Sequence, residues 1–177
     1  MIMKWFTATL MLLIFSANGF STVQVRDRVV FNNDTLYFFD APNFIESPLE
    51  QIDDISEKIR SEIFDEIWVF NSSCWRGFFA KWKIKDNTLY LSKVFDCSTI
   101  SDIEINAVIE KILGRRFENG LMKADWVNGT FGIGTNFGFR PILDISIYQD
   151  YMLLIENGKI IDIEQIEIKR QFFQIIQ

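Results

Sequence analysis

The chain has 177 residues, 49% of them hydrophobic and 15% aromatic, with eighteen phenylalanines, two cysteines and no histidine. Its net charge is −6 and its sequence pI about 4.7. Such apolar content excludes disorder, the acid excess argues against a nucleic-acid partner that needs phosphate neutralisation, and the missing imidazole removes Ser-His-Asp, Cys-His and histidine general-base chemistry.

The first segment has the layout of a secretory signal peptide. Lys4 supplies the positive end, Trp5 to Phe15 a mostly apolar run, and small residues follow. That run is too short to span a bilayer, which needs about twenty residues. Ala17 and Gly19 suit cleavage before Phe20, with a cut after Ser21 as the second choice and an uncleaved anchor as the other reading. The expectation is a signal peptide over 1–19 and a single domain over 20–177, exported to the periplasm or secreted, with no transmembrane span after cleavage.

Val23 to Phe31 and Thr35 to Phe39 read as a hairpin turning at Asn32-Asn33-Asp34. A helix is predicted next. Ser47 is its N-cap, Pro48 suits the first helical position, and Glu50 completes a capping box. Leu49, Ile52, Ile55, Ile59 and Ile63 then form one apolar stripe at spacings of three and four. Ile67 to Phe70 reads as a strand leading into the central hairpin.

That hairpin is the clearest element. Phe78, Ala80, Trp82 and Ile84 alternate with Phe79, Lys81 and Lys83, the period of a half-buried strand. Lys85-Asp86-Asn87-Thr88 supplies the turn, and Leu89 to Phe95 returns. Extending the register from Lys85 opposite Thr88 brings Cys74 and Cys97 within about one residue pair, a gap one β-bulge could absorb. A Cys74–Cys97 disulfide is expected in an oxidising compartment; two buried free thiols are the alternative.

A second helix is predicted from Ser101, with a capping box to Glu104 and an Ile100–Ile105 staple. Ile105, Val108, Ile109 and Ile112 make its stripe, and Gly114 stops it, with Arg115 and Arg116 at its negative end. Strands follow over Met122–Trp126, Gly129–Ile133, Ile142–Tyr148, Tyr151–Ile155 and Lys159–Ile163, with Asn157-Gly158 turning the last pair. Ile166–Ile176 reads as one more strand. The fold class expected is α+β, a mainly antiparallel sheet with two helices packed on it.

Trp75-Arg76-Gly77, an aromatic, x-Trp-x-Ile and Leu89-Tyr90-Leu91 together resemble an uncharacterised family of small bacterial proteins, whose usual form is W-R-G-Y-x-A/G-T-W-E-I … L-Y-L. Pro48-Leu49-Glu50, Ala124-Asp125-Trp126-x-x-Gly129 and Ile147-Tyr148 … Leu153-Leu154-x-Glu156-Asn157-Gly158 extend the resemblance over roughly Pro48 to Ile161. Lys81 and Lys83 stand where the family has Thr and Glu, and the histidine-containing segment often found after the Asp-Trp motif is missing. The resemblance implies fold boundaries and no activity, because the family has no established function.

Two cysteines without histidine cannot build a standard zinc site, and no Asp-rich calcium loop is present; no metal or cofactor is expected. Gly129-Thr130-Phe131-Gly132-Ile133-Gly134 fails the dinucleotide fingerprint because Phe137 takes the third glycine's place and no helix is predicted after it. Asp125, Asp144, Asp150 and Glu156 are the carboxylates available for acid–base work, although spacing alone brings no two together. Lys81, Lys83 and Lys85 read as a solvated strand face. Trp75, Arg76, Asp125 and Trp126 are the site candidates: either an Arg–carboxylate pair with a structural role, or a small polar pocket ringed by tryptophans. The functional expectation is a non-enzymatic exported domain that binds another protein, one version being an immunity protein that neutralises a toxin. The alternative is a carbohydrate-binding or carboxylate-dependent glycan-active protein.

Overall fold

The computed structural model describes residues 25–39, 47–63, 73–97, 103–135 and 149–167. The signal segment, the strands expected at Ile67–Phe70 and Ile142–Tyr148, and the chain after Glu167 lie outside the described residues.

Seven strands form a closed ring. They are β1 (Arg28–Phe31), β2 (Asp34–Phe39), β3 (Phe78–Lys85), β4 (Thr88–Asp96), β7 (Gly129–Gly134), β8 (Gln149–Glu156) and β9 (Lys159–Glu167). Around the ring the order is β3-β1-β2-β7-β8-β9-β4 and back to β3. β1 and β3 run parallel, and all other neighbours are antiparallel. Two short strands, β5 (Ile103–Glu104) and β6 (Met122–Lys123), add to the outer edge of β4, and two short helices, α1 (Ile55–Ile63) and α2 (Asn106–Leu113), complete the set.

This architecture corrects the expected layering of two helices on an open α+β sheet: the molecule is a β-barrel. Its seam is narrow. β4 and β9 share one residue pair, Thr88 with Lys159, flanked by backbone bonds from Leu89 to Gly158 and from Ile160 to Asn87. Beyond that point the edge of β4 passes in turn to β6 and β5. Closure joins the two ends of the sheet at this pair alone, so that β4 and β9 part beyond it. The helices are then too short to cover a sheet face. Leu49, Ile55, Ile59, Ile105 and Ile109 instead join the barrel core at the end where β1 and β3 begin.

Three hairpins use the same device. Asn32-Asn33, Asp86-Asn87 and Asn157-Gly158 each place both central residues at positive φ, the two-residue turn whose twist matches that of its strands. The first helix splits. Its capping box forms as the sequence predicts, but Pro48–Gln51 is a 3-10 turn, and the chain passes through Asp54 at φ 55 before α1 begins. The second helix starts later than predicted. Ile103 and Glu104 are taken into the β4 ladder and Ile105 precedes α2 without a side-chain cap, whereas the expected cap at Ser101 and staple at Ile100 lie outside the described residues. Met122–Trp126 likewise shortens to the two residues of β6.

Inward alternation fills the barrel. Val29, Phe38, Phe78, Trp82, Leu91, Phe131, Ile133, Leu153 and Ile155 are buried in one cluster. Phe38 packs edge-on against both Trp82 and Phe131, with centroids 6.2 and 5.9 Å away. Gly132 and Gly134 on β7 leave room for the Phe39 ring and the Asp150 carboxyl, where any Cβ would collide.

Candidate functional site

The segment Cys74-Trp75-Arg76-Gly77 is a turn, closed by the Gly77 amide donating to the Cys74 carbonyl, with Gly77 at φ 83. It drives Arg76 inward, where the side chain is 2% exposed. There it meets Asp27, which is fully buried just before β1. The Asp27 carboxylate accepts from Ser47 Oγ at 2.6 Å, Trp82 Nε1 at 2.7 Å and the Ala80 amide at 2.9 Å, with Arg76 Nη2 at 3.4 Å. Arg76 also donates to the Val25 carbonyl and faces Glu50, the capping-box carboxylate, at 3.5 Å. One buried acid thus ties β1, β3, the 3-10 turn and the Trp-Arg-Gly turn together. Buried charges are tolerated only when paired and hydrogen-bonded to this degree.

Asp27 was not among the candidates, yet the sequence carries its signal. Counting back by twos along β1 from Phe31 and Val29 puts Asp27 on the inward face, an acid where the alternation demands an apolar residue.

The four site candidates are divided. Asp125 is 40% exposed and pairs with Arg115, not with Arg76. Trp126 is half-buried and donates through Nε1 to the Pro48 carbonyl, whereas Trp75 is 46% exposed. No tryptophan-ringed polar pocket is formed by these four residues.

Ala124 to Gly129 works instead as a clasp on the barrel seam. The Ala124 amide donates to the Leu89 carbonyl, and the Gly158 amide to the Val127 carbonyl. The Asn157 amide donates to Asn128 Oδ1, and Gln51 exchanges bonds with the Asn128 backbone. Gly158 sits at φ +72, and a Cβ there would lie 2.5 Å from the Ala124 carbonyl oxygen. Pro48-Leu49-Glu50, Leu-Tyr-Leu, Ala-Asp-Trp and Asn-Gly therefore meet at one structural joint.

Cys74 and Cys97 form a disulfide, with Cα atoms 6.2 Å apart. Its geometry differs from the simple register extension. The bulge in the central hairpin leaves Ser92 unpaired, between the pairs Lys81–Lys93 and Trp82–Leu91, and carries the ladder one step away from the cysteines. The turn at Gly77 closes the remaining gap, since the Cys97 amide donates to the Gly77 carbonyl. Phe79 and Phe95 stack beside the disulfide, with centroids 5.0 Å apart, as a small cluster outside the barrel wall.

Of the carboxylates, Asp144 lies outside the described residues. Asp150 is buried and Glu156 is exposed. They stand six residues apart on β8, about 20 Å at the usual rise, well beyond the 9.5 Å or so a glycosidase pair spans. No group of three metal-ligating side chains occurs among the described residues.

The outer face of the β8–β9 hairpin has a different character. A bulge between the pairs Leu154–Asp162 and Ile155–Ile160 leaves Ile161 unpaired and turned to solvent. Ile161 is 55% exposed and Leu154 close to 40%, whereas Ile163 pairs with buried Leu153 and lies on the other face. Exposed Glu156, Asp162 and Glu164 interleave with Leu154 and Ile161. Among the described residues no strand pairs with β9 beyond Lys159 on the side away from β8.

No protein-family model, curated protein or solved structure matches this chain.

Proposed function

We propose that this protein is an exported, non-enzymatic barrel domain that binds a basic protein partner through the β8–β9 hairpin. The observation that carries this reading is the exposed pair Leu154 and Ile161 among the acids Glu156, Asp162 and Glu164 on the outer face of that hairpin. Apolar contact area supplies binding energy, acids select a basic partner and hasten its approach, and the β9 edge away from β8, which no strand among the described residues pairs beyond Lys159, offers backbone groups for strand addition. The same acids oppose self-pairing, because two copies of β9 would align like charges. A toxin neutralised by this domain is one partner of that chemistry.

Export is supported by the signal-like N-terminus and by the Cys74–Cys97 disulfide, a bond that persists in oxidising compartments. No helix among the described residues is long and apolar enough to cross a membrane. The motifs shared with the small bacterial family act, on this reading, as determinants of the barrel joint.

The test is site-specific photo-crosslinking in the intact cell envelope, with the probe at Ile161 and a control probe at Lys83. The expected result is one dominant adduct from Ile161 alone, lost in the double variant Asp162→Lys/Glu164→Lys. Equal labelling from both sites, or none from Ile161, overturns the proposal.

A further inference from the structure

On the outer wall, a cavity of about 530 Å³ opens between the β3–β4 turn and the loop joining α2 to β6. Its lining carries four cations, Lys85, Arg115, Arg116 and Lys123, against two acids, Asp86 and Glu118. This is a local cationic excess on a chain of net charge −6. Arg115 is held by Asp125, but Lys85, Arg116 and Lys123 pair with no carboxylate among the described residues.

Support for helix α2 does not account for them. A helix C-terminus presents roughly half a negative charge, which one adjacent arginine offsets. The remaining cations repel one another, at a cost that an anion between them would remove.

The cavity is also built on fixed backbone. Tyr90 pairs with Lys123 across the β4–β6 ladder, and Lys83 flanks Tyr90 on the other side. Glu118 and Leu121 exchange backbone bonds at 2.9 and 3.0 Å around Asn119 and Gly120, both at positive φ. The Arg115 amide donates to the Glu110 carbonyl, and the Phe117 amide to Glu110 Oε1 at 2.7 Å. Cations mounted this way need little reordering to meet a ligand.

We infer that this cavity binds an organic phosphate monoester. The Arg116 guanidinium offers a fork matched to phosphate oxygens, and Lys85 and Lys123 add point charges. The volume falls within the range of small-molecule sites and far exceeds a bare phosphate. Tyr90, Leu121 and Met122 line the rest and would receive the organic part. Such a phosphate is carried either by a soluble ester or by a lipid headgroup.

Both sources are tested with the full, disulfide-bonded protein. Glucose 6-phosphate is titrated by calorimetry, with glucose as control, and phosphatidylcholine vesicles with and without phosphatidic acid are tested by co-sedimentation. Saturable binding to either phosphate probe supports the inference; glucose 6-phosphate binding identifies a soluble ester, and vesicle binding alone a headgroup. The double variant Arg116→Ala/Lys123→Ala should raise Kd about tenfold to a hundredfold, the loss of one or two charge-assisted bonds. Lys81→Ala/Lys93→Ala, on the same basic wall but outside the cavity, should change Kd less than twofold. Circular dichroism of each variant confirms the fold. Binding to neither probe, binding unaffected by the cavity variant, or equal loss in both variants overturns the inference.

Discussion

A single residue, Asp27, shows how much of this structure depends on one buried charge. Its four donors come from three separate parts of the chain, and one of them is Arg76, almost as deeply buried. Removing one partner of such a pair leaves the other charged in the interior, a loss of about 3–5 kcal/mol. Asp27→Ala should therefore lower the unfolding free energy by that amount in urea titrations. Asp27→Ala/Arg76→Leu should recover part of the loss, because no orphan charge remains. A double variant no more stable than the single one would show that Arg76 draws its compensation from Glu50 instead. The sequence made Arg76 legible, through its place between Trp75 and Gly77, but paired it with Asp125. Ion pairs join residues that the fold brings near, and nothing local in the chain links positions 76 and 27.

At the scale of elements, the three hairpins were readable because two-residue turns depend on local chemistry alone: Asn, Asp and Gly tolerate positive φ. The capping box at Ser47 and Glu50 was readable for the same reason. Helix lengths were not. Ile103 and Glu104 join the β4 edge, and Asn106 accepts from the Val94 amide and donates to the Ser92 carbonyl, so a segment with helical signals patches a strand. The disulfide belongs to this scale too. It clamps the open end of the β3–β4 hairpin over a sequence separation of 23, for which the loop-closure estimate is about 3 kcal/mol. Cys74→Ser/Cys97→Ser should shift the urea midpoint down accordingly, and reduction of the parent protein should produce the same shift. A reduced parent as stable as the oxidised one would mean that the Phe79–Phe95 cluster holds the hairpin end unaided.

For the molecule as a whole, the seam between β4 and β9 and the division of charge decide what the protein can do. One strand pair closes the ring, braced by the Ala124–Gly129 clasp through Gly158. Gly158→Ala carries about 1–2 kcal/mol of left-handed backbone strain plus a collision with the Ala124 carbonyl. Hydrogen exchange should then quicken at the β4 and β9 amides beside the seam, while the β1–β2 amides stay protected. Uniform acceleration across the barrel would instead mark global destabilisation. The net charge of −6 conceals two regions of opposite sign. Glu156, Asp162 and Glu164 stand on one hairpin, and Lys81, Lys83, Lys85, Lys93 and Lys123 on the outer wall of β3, β4 and β6. The alternation of the lysines was visible in the chain, but the addition of Arg116 and Lys123 to them was not.

By itself the sequence determined the turns, the cap at Ser47, the inward and outward alternation of the strands and the chemistry removed by the lack of histidine, because each depends on neighbours a few residues apart. Only the tertiary structure decided that the sheet closes into a barrel, that Asp27 receives Arg76, and that cations from a hairpin, a helix end and a two-residue strand share one cavity. Those outcomes join positions tens of residues apart, and their energy exists only once the chain has folded around them.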